Sequence, residues 1–231
     1  MLIRRREDLP FGGFGGLLER HYIMDHRTFG DRRSEGALSG LGNCRYLADA
    51  GFKPRGGTGM HAHSKVDIIS VIVRGELDHR GSLGDGVKLH AGQVQVQRAG
   101  AQTFEHNEFN PTEGYTHLIQ LWMVPAEHQG DSGYRIVDLK PGHQVVYGGA
   151  DHPETRIGGV STQVAVIPAD ANSEWTFSGR CQCYLASGDA IAVHGDHRET
   201  LSRETLVDGG DITIQCLTTS LLIVIQSASG L

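Results

Sequence analysis

The sequence predicts an all-β chain, on three observations. Glycine supplies 32 of the 231 residues, roughly double the usual share, as many short turns between strands require. Apolar residues come in short β-branched or alternating runs, such as Val66-Asp67-Ile68-Ile69-Ser70-Val71-Ile72-Val73 and Gln93-Val94-Gln95-Val96-Gln97, a pattern that suits strands rather than helices. The same rhythm of strands and turns resumes at Gln163 and runs to Ile225. The length fits one large all-β domain or two small ones, and the second set of strands predicts two barrels.

Residues 1–35 are charged and punctuated by glycine. Within them Phe11-Gly12-Gly13-Phe14-Gly15-Gly16 lacks the spacing of a phosphate loop and follows no strand, so it reads as irregular chain. Asn43 to Ala48 opens the first barrel, and Lys53 to Gly59 is a glycine-rich approach to His61. The β-branched run from Val66 reads as a buried strand ending at Gly75. Gly81 to Gly86 reads as a hairpin connection and Leu89-His90-Ala91-Gly92 as a further turn; His79 and His90, beside these turns, read as solvated. Gln93 to Gln97 reads as a strand with one wet and one dry face. Thr116 to Val124 is an apolar strand carrying His117, Gln120 and Trp122, with His117 a candidate to line a pocket.

The expected division is a metal-binding barrel over residues 1–125, a polar linker over 126–133 and a second barrel over 134–231. The second half carries no comparable ligand set: His194-Gly195-Asp196-His197 spaces its histidines by three, which puts them on opposite faces of a strand, and reads as a polar turn. That half is expected to serve as scaffold for the first.

The formal net charge of −6 gives no basic footprint and argues against direct nucleic-acid binding. Cys44, Cys181, Cys183 and Cys216 show no C-x-x-C spacing and read as reduced thiols. No apolar core of a signal peptide follows the basic start, and no run approaches the ~20 apolar residues of a membrane span. The expected setting is the cytoplasm.

Two residue pairs carry the chemistry, His61/His63 and His106/Glu108. In a strand, residues i and i+2 share a face with their Cα atoms roughly 6.5 Å apart, so each pair can grip one ion. Three imidazoles and a carboxylate suit Fe, Mn, Ni, Cu or Zn and leave two octahedral positions open, which points to catalysis rather than a structural clip. Asp67, four residues after His63, shares its face if the strand is regular, and is expected to orient an imidazole N–H. The apolar residues near the ligands, Ile69, Val71, Val73, Val94 and Val96, favour an aromatic substrate.

The stretches Gly56 to Gly75 and Gly92 to Asn110 resemble the two cupin motifs. With His106-Asn107-Glu108 followed by Phe109-Asn110-Pro111, the chain is similar to the pirin family, a resemblance that extends through Gly75 to Arg80, Ala91-Gly92 and Leu118 to Trp122. It departs at His61-Ala62-His63-Ser64, where the family has proline between the histidines, and at Asp67, where it has glutamate. The resemblance implies a bicupin, two double-stranded β-helix (jelly-roll-like) barrels, with iron in the N-terminal one held by His61, His63, His106 and Glu108. It also implies either an activity like that of quercetin 2,3-dioxygenases or iron-dependent regulation through a protein partner. The expected ligands are therefore a divalent transition metal, Fe(II) first, a small aromatic substrate and dioxygen. Glu108 is expected either to stay on the metal or to act as general base for a substrate hydroxyl. A non-catalytic iron or redox sensor and a metal-dependent isomerase are the alternative functions.

Overall fold

The computed structural model describes residues 1–227. Eleven strands precede residue 140: β1 (Leu2–Arg5), β2 (Leu17–Met24), β3 (Cys44–Phe52), β4 (His61–Ser64), β5 (Asp67–Arg74), β6 (Glu76–Gly81), β7 (Val87–His90), β8 (Gln93–Arg98), β9 (Thr103–Phe109), β10 (Thr116–Met123) and β11 (Gly133–Asp138). Seven follow: β12 (Gln144–Tyr147), β13 (Thr162–Ala169), β14 (Glu174–Ser187), β15 (Asp189–His194), β16 (His197–Ser202), β17 (Thr205–Cys216) and β18 (Ser220–Ser227). Helix is confined to short turns such as α1 (His26–Phe29) and α2 (Pro153–Arg156). Among the described residues no helix is long and apolar enough to cross a membrane.

In the first half a six-stranded sheet, β11-β8-β5-β10-β3-β2, faces a four-stranded sheet, β4-β9-β6-β7. The second half forms one sheet, β12-β13-β18-β14-β17-β15-β16, to which β1 adds beside β17. A bulge between Phe177 and Arg180 bends the long β14, as an extra unpaired residue does. The sheet encloses a core of Ile167, Phe177, Leu185, Ile212, Ile214 and Leu222 with Cys181, Cys183 and Cys216. All four cysteines are buried and unpaired. His194 and His197 face each other across the two-residue turn between β15 and β16, both exposed.

Strand pairing crosses the expected division in both directions. β1 belongs to the second half's sheet, and β11 pairs with β8 of the first, where it covers an edge that would otherwise leave N–H and C=O groups unpaired.

The two halves share a core. Ile69, Val71, Val94, Val96, Ile119 and Leu121 of the six-stranded sheet pack with Val146, Val164, Val166, Tyr184, Ile223 and Ile225 of the second half. Because side chains alternate, the other face of the same strands, Ser70, Gln95, Gln97, Gln120 and Trp122, points into the first barrel. Buried hydrogen bonds pin the interface: Tyr147 Oη donates to Asp67 Oδ2 at 2.7 Å, and Tyr22 Oη donates to the Glu204 carbonyl at 2.6 Å.

Removing one hydroxyl at this interface leaves a buried carboxylate oxygen without its donor, which costs about 1–3 kcal/mol. Tyr147→Phe is therefore expected to destabilise the protein by that amount in urea denaturation, with the strand content unchanged by circular dichroism.

Candidate metal centre

The site is assembled by strand register. β4 pairs with β9 so that His61 stands opposite His106 and His63 opposite Phe104. On the other side of β9, β6 sets His79 opposite Glu108. The alternation of β9 turns Phe104, His106 and Glu108 inward, all three buried. One ring nitrogen from each of His61, His63 and His106 lies within 4.8 Å of the others, and the three ring centroids are 4.5, 4.8 and 4.9 Å apart.

Hydrogen bonds decide which nitrogens carry lone pairs. His61 Nδ1 lies 2.9 Å from the Gly59 carbonyl, which can only accept, so Nδ1 bears the hydrogen and Nε2 the lone pair. His79 Nδ1 likewise donates to the Gly84 carbonyl at 3.0 Å. On its other side His79 Nε2 lies 3.0 Å from Gln97 Oε1, and the Gln97 Nε2 amide donates to His106 Nδ1 at 3.2 Å.

The Nε2 atoms of His61 and His106 are 3.1 Å apart, close to the separation of two nitrogens on one ion: at adjacent octahedral positions with bonds near 2.1 Å they stand about 3.0 Å apart. Burial, followed by the neighbouring imidazoles, lowers the pKa of His63 to about 4 and of His106 to about 2. Both are therefore uncharged at neutral pH, as ligands must be.

Glu108 stands beside the histidines rather than within their cluster. Its carboxylate accepts from Ser70 Oγ at 3.4 Å, Gln95 Nε2 at 3.1 Å and Gln120 Nε2 at 3.3 Å. The two amide oxygens are satisfied in turn by Tyr134 Oη at 2.8 Å and Trp122 Nε1 at 3.1 Å. Burial raises the Glu108 pKa, while His79 and the Gln95 amide pull the other way. Phe104 and Trp122 flank His63, each with its ring centroid 5.5 Å from the imidazole.

Several sequence expectations are corrected here. Asp67 does not orient an imidazole: it accepts from the Ala99 N–H at 2.9 Å and from Tyr147. The reason lies at Lys65, whose φ of +62° breaks the chain between β4 and β5, so the regular strand assumed from His63 to Asp67 does not exist. His79 is not solvated but fully buried, 0% exposed, and hydrogen-bonded to the site. The wet face of Gln93 to Gln97 is the barrel interior, with Gln95 and Gln97 buried. Conversely, Ile69, Val71, Val94 and Val96 face the second half, so the site is lined more by amides than by aliphatic groups. His117 lines a cavity on the opposite side of the six-stranded sheet, together with Asp49 and Tyr115.

Sequence reading missed His79, Gln95, Gln97 and Tyr134 as site residues. Uncharged amides at every second position of a strand, where an outward face usually carries Lys or Glu, were the signal. Tyr134 comes from β11, and Gly84, with φ +70°, lies against its ring, where any Cβ would overlap the ring.

Fold and site together define a two-barrel cupin with a histidine cluster in the first barrel. Residues 41–123 match the Pirin family model, the family whose motifs the sequence resembles. A Zymomonas mobilis protein provisionally named a quercetin 2,3-dioxygenase is 34% identical over 144 residues, 61% of this chain and 58% of its own length. The quercetin 2,3-dioxygenase of Escherichia coli K12 is 30% identical over 110 residues, 46% of this chain and 47% of its own. The chain thus spans about half the length of these curated relatives. Among solved structures, the bacterial pirin YhhW from Escherichia coli in complex with nickel(II) matches with a TM-score of 0.78 at 18% identity over 98% of both chains, a likeness of fold.

Two outcomes follow from the geometry. Gln97→Leu, which removes the group hydrogen-bonded to His106 Nδ1, is expected to weaken metal binding about 10–100-fold in competition with a fluorescent chelator. In chelator-treated protein, the unfolded histidines take up protons below their ordinary pKa of 6.5 while folded His63 stays uncharged to about 4 and His106 to about 2. The unfolded state then binds more protons, so stability falls as pH drops from 6.5 towards 4. Urea midpoints across that range check this, and His106→Gln should show a shallower decline.

Proposed function

We propose that the protein is a metal-dependent oxygenase of the quercetin 2,3-dioxygenase kind, acting on a small aromatic substrate of the flavonol class with dioxygen. The ion is a divalent transition metal, Fe(II) foremost, held by His61, His63, His106 and Glu108. The observation that carries this reading is the histidine cluster itself, with the Nε2 atoms of His61 and His106 3.1 Å apart. The names of the relatives support the reaction class. The four buried, unpaired cysteines support a reducing, cytoplasmic setting.

Bound there, the ion would supply Lewis acidity towards a substrate hydroxyl and a redox partner for dioxygen. The chain supplies the rest. Glu108 takes the proton of that hydroxyl, and the burial that raises its pKa brings it closer to the proton donor's own, which favours general-base transfer. Gln95 and Gln120 hold the carboxylate in place. Trp122 and Phe104 offer flat apolar surfaces to an aromatic ring beside His63. Phe14, half exposed, stands edge-on to His61 at a centroid distance of 6.3 Å and guards the approach.

The amide lining formed by Gln95, Gln97 and Gln120 favours a second reading, isomerisation of a polar sugar or acid without oxygen. Elemental analysis of protein purified without added metal, then anaerobic Fe(II) reconstitution and an oxygen-electrode assay with quercetin, separates the two. The expected result is about one metal per chain, the number one octahedral site holds, with oxygen consumption that disappears together with the metal in His61→Ala. Glu108→Gln is expected to lower turnover about 10²–10⁴-fold, the range of a lost general base. Metal-dependent turnover of a sugar or acid without oxygen would move the assignment to an isomerase. Bound metal with no turnover would leave a regulator acting through a protein partner.

A further inference from the structure

A cavity lies away from the histidine cluster. It is a cleft of about 640 Å³ between the two halves, with Leu18, Asp49, Arg74, Tyr115 and His117 on one side and Ala186, Arg203 and Glu204 on the other. A volume of this size is that of a small-molecule site, typically ~300–1,000 Å³.

The charges facing it are unbalanced in one direction. Asp49 is occupied, its Oδ2 accepting from His117 Nε2 at 2.9 Å and from Tyr184 Oη at 2.6 Å. Glu204 pairs with Arg6 at 2.6 Å. The Glu19 carboxylate turns away to Tyr46 Oη at 2.8 Å and His21 Nε2 at 3.5 Å. Among the described residues the guanidinium groups of Arg74 and Arg203, one from each half of the lining, make no ion pair or hydrogen bond.

The rim is aromatic. Phe11 and Tyr115 are 61% and 52% exposed, and Arg20 lies 3.5 Å above the Phe11 ring. Exposed aromatic rings beside unpaired cations suit a ligand that is flat at one end and anionic at the other.

We propose that this cleft is a second binding site, for a small aromatic carboxylate. The carboxylate sits between Arg74 and Arg203, and the ring lies against Phe11 and Tyr115. The site is separate from the histidine cluster and does not depend on the reaction proposed there. Since Arg74 and Arg203 come from different halves, a bound ligand bridges them.

The test is calorimetric titration with 2-naphthoate and its neutral analogue 2-naphthamide. It uses chelator-treated protein and the His106→Ala variant, so that a metal site cannot take the carboxylate. The expected result is saturable binding at one site for 2-naphthoate in both proteins, with 2-naphthamide at least about tenfold weaker, as the loss of a charge-assisted contact implies. Arg74→Ala and Arg203→Ala, checked for an unchanged thermal midpoint, should each weaken 2-naphthoate by about tenfold, and Arg203→Lys by less. Four results would overturn the proposal: no saturation at millimolar probe, equal affinity for the amide, loss of binding in His106→Ala, or full affinity in both arginine variants. Displacement of 2-naphthoate by equimolar inorganic phosphate would likewise overturn the aromatic class. An inactive oxygenase that still binds 2-naphthoate would leave the cleft standing, and the reverse would leave the oxygenase standing.

Discussion

The antiparallel register of β4 against β9 is the constraint on which the histidine cluster depends. It puts His61 directly across from His106, and a slip of β4 by one residue would turn His61 and His63 to the opposite face. Four residues of pairing are a short ladder to carry so much. Its accuracy comes from behind, where β6 pairs with the far edge of β9 and supplies His79, whose link through Gln97 holds the His106 ring in position. The same logic governs Glu108, a buried carboxylate surrounded by donors whose own acceptors are filled by Tyr134 and Trp122. A buried polar network completed in this way rigidifies the site instead of destabilising it.

The six-stranded sheet separates two environments with one set of strands. Its valines and isoleucines join the second half's core, while its glutamines and Ser70 build the interior of the first barrel. The second half contributes rigidity to the site by burying one face of the sheet that carries it, and through Tyr147, which holds Asp67 at the start of β5. Asp67 orients a strand instead of a ligand.

The all-β class, the strands around each ligand pair and the resemblance to pirins were legible in the sequence, because period-two patterning and i, i+2 ligand spacing are local properties. What was not legible depended on which face was which. Gln93 to Gln97 alternates cleanly, but alternation says nothing about whether the polar side meets water or a cavity, and here both faces are buried. The reading of Asp67 failed on a single backbone dihedral at Lys65, a residue with no special tendency to adopt positive φ. His79 looked like a turn neighbour because its burial is created by β8 and β11, which arrive from elsewhere in the chain. The pairing of β1 with β17 had no local signal at all.

That last pairing has a consequence for how the protein is made. Leu2 stands opposite Asp208, so β1 has no partner until about two hundred further residues have been synthesised, roughly 10–40 s later at ~5–20 residues per second. The first barrel can close over its histidines in the meantime, but the two halves are sewn together only when β17 arrives beside β1.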